Sequence, residues 1–481
     1  MSLNPRALAL LAAVIVAAVG ALKLEQHYAR PALGLNPLLA LGNSDERRDI
    51  SVGGPSQTDF SDPRKAIDVL DFSWDHLRGA YYKPVNDGEL LGGERKGLQD
   101  FLRAKHVVAQ LSLVAPSADN DSSADQAAAN AMLSQAFSKY GSKVGNDDLT
   151  FAAIAGMLGS LGDPYTVFLP PREMRSLTEL INGGDFGGIG VYIGQDRKTR
   201  QTVIIEPIQG TPAARAGLRP GDIIVSVGYK ATKNLGLDPV MDLIRGKAGS
   251  AVRLVVKRGA STPKTYMVVR EQIHVPSVQS KMLPGGIGYI QLIDFGDTSA
   301  KEVTSALQTL LGQGAKAFVL DLRNNGGGLL QAAVDVSSKF IADGPIVSTI
   351  DRQGHMTTEN ADQDAIAPHP LAVLVNQYSA SASEITAGAV QDSKAGALVG
   401  TKTFGKGVVQ TIYDLPGGSA IKVTTQRYVT PNGRDINKKG IEPNIVVPMD
   451  YRNTGVAGKD VQLKAAVRYV KSQIALNPNA I

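Results

Sequence analysis

The sequence predicts a multidomain α/β protein in three parts: an N-terminal helical region, a small β-domain, and an α/β core with a largely parallel sheet. Apolar residues recur at helical spacing from "SDPRKAIDVLDFSWDHL" to "DDLTFAAIAGMLGSLGDPY". Short β-rich runs separated by glycine turns follow: "GGIGVYIG", "TVIIEPI", "DIIVSVG", "AVRLVVKR" and "TYMVVRE". Beyond Pro276, strand-like runs such as "GIGYIQL", "AFVLDLR" and "LAVLV" alternate with helical stretches such as "LLQAAVDVSSKFI" and "EITAGAVQD". Such alternation is the signature of parallel strands joined by helical crossovers.

In chain order, residues 1–23 carry Arg6 ahead of an uncharged stretch from Ala7 to Leu22. That stretch is shorter than the roughly 20 residues of a spanning helix and fits a secretory h-region or a short uncleaved anchor. Export to the periplasm or cell envelope is the expectation, with cleavage or membrane anchoring left open. Residues 24–60 are rich in Pro, Gly, Ser and Asp without sustained periodicity and read as a tether. Residues 61–176 form the helical region, broken by a Ser/Asp/Asn loop at 115–125, with Trp74 on an apolar face that belongs in a core. The β-domain spans 177–275 and the α/β core 276–450. A last amphipathic helix, "DVQLKAAVRYVKSQI", lies within 451–481.

Composition narrows the function. With 481 residues there is room for roughly two to four domains. At 43% hydrophobic and 20% charged, with 51 Gly and 25 Pro, the chain is a folded protein rich in turns and not a disordered one. The net charge of +5 comes from dispersed lysines and arginines with no basic block interleaved with aromatics, so no nucleic-acid partner is expected. The absence of cysteine excludes a disulfide framework and thiolate chemistry.

The chemistry concentrates at "NQYSASASEIT" (376–386), where Ser379, Ser381 and Ser383 follow directly on the apolar "LAVLV". Strand-to-helix junctions at the carboxyl ends of buried strands are favoured places for active sites. Ser381-Ala-Ser-Glu384 has the spacing of a capping box. A hydroxyl at a helix N-terminus also faces unpaired N–H groups and the positive end of the dipole, which stabilise a developing oxyanion. There is no H-E-x-x-H, no G-x-S-x-G, and the six histidines are scattered, so a nucleophilic serine needs another base. In "TKTFGKGVVQTIY", Lys406 has glycine and apolar neighbours. Lysine becomes a base near neutrality only when desolvated. Gln410, four residues on, returns to nearly the same face and can orient the amine. A capping serine and a surface lysine on a glycine turn are the bland alternatives. In "LDLRNNGGGLL" (320–330) glycines let the backbone aim N–H groups at an anion, though a simple tight turn fits equally. Finally, "GGIGVYIG" and "TPAARAGLRPGDIIVSVG" offer a strand edge able to capture an extended peptide and its terminal carboxylate, or a β-module without a ligand.

These residues resemble the carboxyl-terminal processing, or tail-specific, proteases: serine peptidases with a Ser-Lys dyad and an embedded PDZ domain. From about Asp62 to Val470 the family's motifs occur in order: "GDPYTVFLPP", "GIGVYIG", "TPAARAGLRPGD", "GIGYIQL", "DLRNNGGGLL", "SASASEI", "GKGVVQ" and "GRDINKKGIEPNIVV". The resemblance implies a PDZ-like β-domain whose Gly188, Ile189, Gly190, Val191 and Tyr192 bind peptide. It also implies Ser381 as nucleophile, Lys406 as base, Gln410 as the residue that positions the lysine, and the N–H groups of Gly327 and Ala382 as oxyanion donors. It implies protein substrates with free C-terminal tails and calls for no metal or cofactor; self-association is left open. Two departures stand out. Gly326 replaces the family's usual proline, and residues 104–145 read as an insertion. The contrasting expectation is a PDZ scaffold that does not catalyse.

Overall fold

The computed structural model describes residues 62–111, 122–181, 186–196, 199–366, 368–450 and 453–476. The expected export segment and tether lie outside the described residues. Among the described residues no helix is long and apolar enough to cross a membrane. Asn182–Pro276 form one compact unit, and the described residues before and after them form another.

The second unit begins with four helices: α1 (Pro63–Ala80), α2 (Asp87–Ala104), α3 (Ser122–Val144) and α4 (Asn146–Gly159). Asp62 caps α1 by accepting from the Arg64 N–H, with Pro63 in the first turn, and Asn86 caps α2 through the Glu89 N–H. Trp74 lies in the core as expected, with Leu70, Leu77, Leu98, Leu133 and Ile154. Each such side chain contributes about 1.5–3 kcal/mol of burial. Helices α2 and α4 touch through glycine: a Cβ on Gly97 would lie 2.7 Å from Gly156 Cα. The segment read as an insertion contains α3, which buries Ala129, Met132, Leu133 and Ala136 in this same core. Two elements depart from the expected helical region 61–176. Val167–Leu169 form a strand, β1, and the helix α5 (Pro171–Ile181) runs across the expected boundary at 176.

The first unit holds β2 (Phe186–Gly188), β3 (Val191–Gln195), β4 (Thr202–Pro207), α6 (Pro212–Arg215), β5 (Ile223–Val227), β6 (Lys230–Ala231), α7 (Leu237–Ile244), β7 (Ala251–Lys257), β8 (Lys264–Val269) and β9 (Glu271–Ile273). Its main sheet has the order β3-β4-β5-β7-β8, with β6 on β5, and β2 pairs with β9. Ile189, Ile204, Leu218, Ile224, Val240 and Leu254 fill its core.

The α/β core follows: β10 (Val278–Leu283), β11 (Ile287–Leu292), α8 (Ser299–Gly312), β12 (Ala317–Asp321), α9 (Leu330–Ser338), β13 (Pro345–Ile350), β14 (Met356–Asn360), β15 (Leu371–Val375), α10 (Ala382–Asp392), β16 (Ala397–Gly400), β17 (Val408–Leu415), β18 (Ser419–Val429), β19 (Ile445–Val446) and α11 (Val461–Leu476). One sheet runs β10-β11-β12-β15-β16-β19, parallel throughout except for the β10-β11 pair. Phe318, Leu320, Leu371, Val373 and Val375 pack in one cluster with α8, α9 and α10. Ala317, Val319, Ala372 and Leu374 pack in another with Ala465, Ala466 and Val470 of α11. Side chains alternate across a strand, so burial on both faces is what makes "AFVL" and "LAVLV" continuous apolar runs. A second sheet, β1-β18-β13-β14 with β17 also on β18, is antiparallel and was not anticipated from the sequence. Through β1 it ties the helical region to the core.

Candidate active site

The loops that follow β12 and β15 are sewn together. The Asn324 N–H donates to Asn376 Oδ1 at 3.0 Å, and Asn376 Nδ2 donates to Asn324 Oδ1 at 2.9 Å. The three serines of the second loop are all fully buried, yet their surroundings differ. Ser379 Oγ donates to the Leu322 carbonyl at 2.8 Å, and Ser383 Oγ donates to the Asn325 carbonyl at 2.9 Å. Those two hydroxyls hold the loops to each other. Ser381 lies between them at the N-cap of α10 with φ 58° and ψ −119°. A non-glycine residue keeps such a backbone only where its surroundings enforce it.

The capping box expected for Ser381 and Glu384 is present, with Glu384 Oε2 accepting from the Ser381 N–H at 3.0 Å. The same carboxylate reaches much further along the chain. Oε1 accepts from Thr403 Oγ1 at 2.6 Å and from the Gly405 N–H at 2.7 Å, and Oε2 accepts from the Lys406 N–H at 2.8 Å. Burial pushes the Glu384 carboxyl above its ordinary range, while these donors pull it back. Four donors converge on it, a pattern that the ionised form satisfies. A second tie comes from Tyr428, whose hydroxyl lies 2.5 Å from the Lys406 carbonyl and 3.2 Å from that of Ser381. The glycines on either side of Lys406 are required by a close crossing. A Cβ on Gly405 would lie 2.8 Å from Gly440 N, and one on Gly407 would lie 2.7 Å from Asn437 N.

The Lys406 side chain is fully buried, its Nζ has no hydrogen-bond partner among the described residues, and it lies over the ring of Tyr165, 4.9 Å from the centroid. Burial, with the neighbouring Lys422 charge, holds the Lys406 amine well below the usual lysine range, against the pull of Asp163 and Glu384. Lys422 is also buried, on β18, and burial lowers it to about 8. Gln410 is buried on β17, where its Nε2 donates to Thr424 Oγ1 at 3.3 Å and its Oε1 has no partner. The expected bond from Gln410 to the amine is therefore not made in this arrangement. A buried donor and a buried acceptor are both left unpaired.

Gly327 lies directly against Ser381. With φ 101°, a Cβ there would fall 2.7 Å from the Ala380 oxygen and 2.8 Å from both Ala382 N and Ser381 Cβ. Its N–H, however, donates to Asn325 Oδ1 at 2.8 Å. The Ala382 N–H, in the first turn of α10, has no backbone or side-chain acceptor among the described residues. Of the two expected oxyanion donors, one is available and one is engaged. Upstream, the fully buried Arg323 anchors the glycine loop. Its Nε donates to Asp321 Oδ1 at 2.9 Å, while Nη1 and Nη2 donate to Asp460 Oδ1 and Oδ2 at 2.8 and 2.9 Å. Asp460 also accepts from the Leu463 N–H in the first turn of α11.

In the other unit, Gly188 ends β2, Ile189 is buried, and Val191 and Tyr192 open β3. Gly190 has φ +74°, and a Cβ there would fall 2.4 Å from Thr211 Cβ, so glycine is required. Strand β3 pairs only with β4 and leaves its other side as a sheet edge among the described residues. Among the described residues no group of three or more His, Asp or Glu side chains is arranged to hold a metal ion. Sequence reasoning gave Glu384 only a capping role and passed over Tyr428, Tyr165 and Lys422. Tyr165 does lie in the "GDPYTVFLPP" motif. Nothing local marks the other two.

The chain is similar in sequence to known proteins. The sequence profile of Peptidase family S41 matches residues 286–447, and that of the PDZ domain matches residues 203–258. The chain is 38% identical over 338 residues to the carboxyl-terminal-processing protease of Synechocystis sp., covering 69% of this chain and 79% of that one. It is 37% identical over 324 residues to the carboxy-terminal processing protease CtpA of Bacillus subtilis, covering 67% and 69%. Among solved structures it is similar to the photosystem II D1 C-terminal processing protease, with 30% identity, a TM-score of 0.44, and coverage of 82% of this chain and 98% of that one.

Proposed function

This chain belongs to the carboxyl-terminal-processing proteases of peptidase family S41, which are serine-type peptidases, and we propose that it is an exported endopeptidase working through a Ser381–Lys406 dyad. In this reading the PDZ domain takes the C-terminal tail of a protein substrate and cleavage occurs near that end. Residues 1–23 direct export and can hold the enzyme at a membrane. The observation that carries the dyad is the shared carboxylate: Glu384 binds the backbone of both Ser381 and Lys406, and the Lys406 amine beside them is buried without a hydrogen-bond partner.

Neutral Lys406 Nζ takes the proton of Ser381 as Oγ attacks the scissile carbonyl carbon, and the π pair moves onto the carbonyl oxygen. The Ala382 N–H, joined by the Gly327 N–H once Asn325 releases it, donates to that oxyanion. Collapse of the intermediate expels the amine, which takes the proton from the Lys406 ammonium and leaves an ester on Ser381. Water then attacks the ester and gives its proton to Lys406, and Ser381 recovers a proton as the acid departs. While Lys406 is charged, Gln410 Oε1 is an acceptor with no competing partner. The free edge of β3 supports capture of the tail as an added strand by Gly188–Tyr192.

A fluorophosphonate probe tests the nucleophile: it labels the parent protein and leaves Ser381→Ala unlabelled. Continued labelling of Ser381→Ala at the parental rate refutes the assignment, and a parent that neither labels nor cleaves peptides supports the non-catalytic scaffold. Tail capture requires a peptide with a free C-terminal acid to be cleaved faster than its amidated twin. Equal rates would remove the carboxylate from the recognition step.

A further inference from the structure

Tyr165 belongs to the loop between α4 and β1, far in sequence from the segment that carries Lys406. Its ring centroid lies 4.9 Å from Lys406 Nζ, and no polar atom bonds that amine. Side-chain bonds fix the loop. Asp163 Oδ1 accepts from the Tyr165 N–H at 3.0 Å, and Asp163 Oδ2 accepts from the Thr166 hydroxyl at 2.7 Å. Thr166 Oγ1 in turn accepts from the Thr424 N–H of β18 at 3.0 Å. Thr424 is the residue whose hydroxyl accepts from Gln410. The loop is thus tied to the strand beside the base.

From this geometry we infer that Tyr165 is a positioning residue for the peptidase reaction, its ring face covering the Lys406 amine and keeping water from the base. The inference rests on Lys406 being that base. It gives the helical region a part in the active site in addition to its part in the core.

The charged and titratable groups around the amine pull in opposite directions. Lys422 on β18 opposes a charge on Lys406, and Asp163 in the loop and Glu384 in α10 favour one. An aromatic face attracts a cation by about tenfold in the ionisation constant. Complete loss of hydration opposes the cation by up to roughly a thousandfold or more. Covering therefore outweighs attraction, and the ring keeps the amine neutral. The phenol itself stays protonated, since burial pushes it up to about 12.

The test compares Tyr165→Ala with Tyr165→Phe. Peptide-cleavage rates are measured against pH, and Lys406 is titrated directly by competitive labelling with dilute acetic anhydride in a Ser381→Ala background. Tyr165→Ala is expected to raise both the kinetic and the labelling pKa of Lys406 by at least one unit. It should also lower kcat at neutral pH tenfold or more, recover at alkaline pH, and change KM little. Tyr165→Phe keeps the ring and should keep the parental pH profile and most of kcat. An unshifted Lys406 titration in Tyr165→Ala overturns the proposal, as does a Phe variant that behaves like Ala. If Tyr165→Ala does not fold, the decision passes to Thr166→Val, near-isosteric, which unties the loop from β18. There, faster labelling of Lys406 with a raised pKa supports the covering role and an unchanged titration refutes it. Retention of cleavage by Lys406→Ala removes the base assignment itself, an outcome separate from failure of the Tyr165 role.

Discussion

Replacing Glu384 by glutamine removes a charge while preserving shape, and it asks how much the shared carboxylate contributes. An amide keeps one oxygen. With the amide nitrogen at Oε1 it would face the Gly405 N–H and the Thr403 hydroxyl, which can turn to accept; at Oε2 it would face the N–H groups of Ser381 and Lys406. One or two hydrogen bonds to a charged acceptor are lost, each worth about 1.5–3 kcal/mol, and the others lose their charge. Relief from burying a charge offsets part of the resulting loss of about 1.5–6 kcal/mol, so a value in the middle of that range is expected. About 3 kcal/mol charged against correct placement of Ser381 and Lys406 corresponds to a fall in kcat of roughly two orders of magnitude. Native-state hydrogen exchange locates the effect, because the amides of Gly405 and Lys406 should lose protection while those of the parallel sheet keep theirs. Glu384→Gln with kcat within tenfold of the parent and protected Gly405 and Lys406 amides would show that the carboxylate is only a helix cap.

Lys406→Arg keeps a positive charge but offers no usable base, so it should be inactive at every accessible pH in a cleavage assay. In the parent the rate should rise with pH, because burial lowers the Lys406 pKa and the neutral amine is the active form. Lys422→Met removes the charge that opposes protonation of Lys406. The rate–pH curve should move to higher pH by up to about one unit with its alkaline plateau intact, and an unmoved curve refutes the coupling. Ser379→Ala should retain probe labelling while melting lower, with about 1–3 kcal/mol lost from the bond to the Leu322 carbonyl. Glu94 on α2 is fully buried with neither carboxylate oxygen hydrogen-bonded, and burial raises its pKa well above 4.5. It costs no stability below the unfolded pKa and about 1.4 kcal/mol per pH unit above it, up to the folded pKa. Thermal melts of Glu94→Gln should therefore gain on the parent as pH rises from about 4.5, and parallel curves would contradict this.

Much of the core was legible because its strands are buried on two faces, which writes "AFVL" and "LAVLV" as unbroken apolar runs. Ser381 and Lys406 could be singled out because their neighbours are small or apolar, as burial of a reactive group requires. The antiparallel sheet was not legible. Strands β17 and β18 carry Gln410, Lys422 and Thr424 as buried polar residues, which breaks the alternation that announces a half-exposed hairpin. Nor could a sequence show that Glu384 spans two loops, that Asn325 engages the Gly327 N–H, or that Tyr165 meets an amine 241 residues further along. Those facts depend on contacts between distant segments. Local pattern carries no record of them.

The anchoring of Arg323 bears on what self-cleavage would do to such an enzyme. On the proposed activity, a peptidase directed at chain ends is a hazard to its neighbours of the same kind. Here Asp460, immediately before α11, is one of two carboxylates that hold a guanidinium with no side-chain exposure. Autolysis ahead of Asp460, followed by loss of the fragment, would leave that charge half matched in the interior at a cost of about 3–5 kcal/mol. The damage would fall on the loop that carries Gly327. Self-trimming at this point would thus disable the molecule that suffered it, so a nicked population would lose activity rather than acquire a shortened, altered specificity.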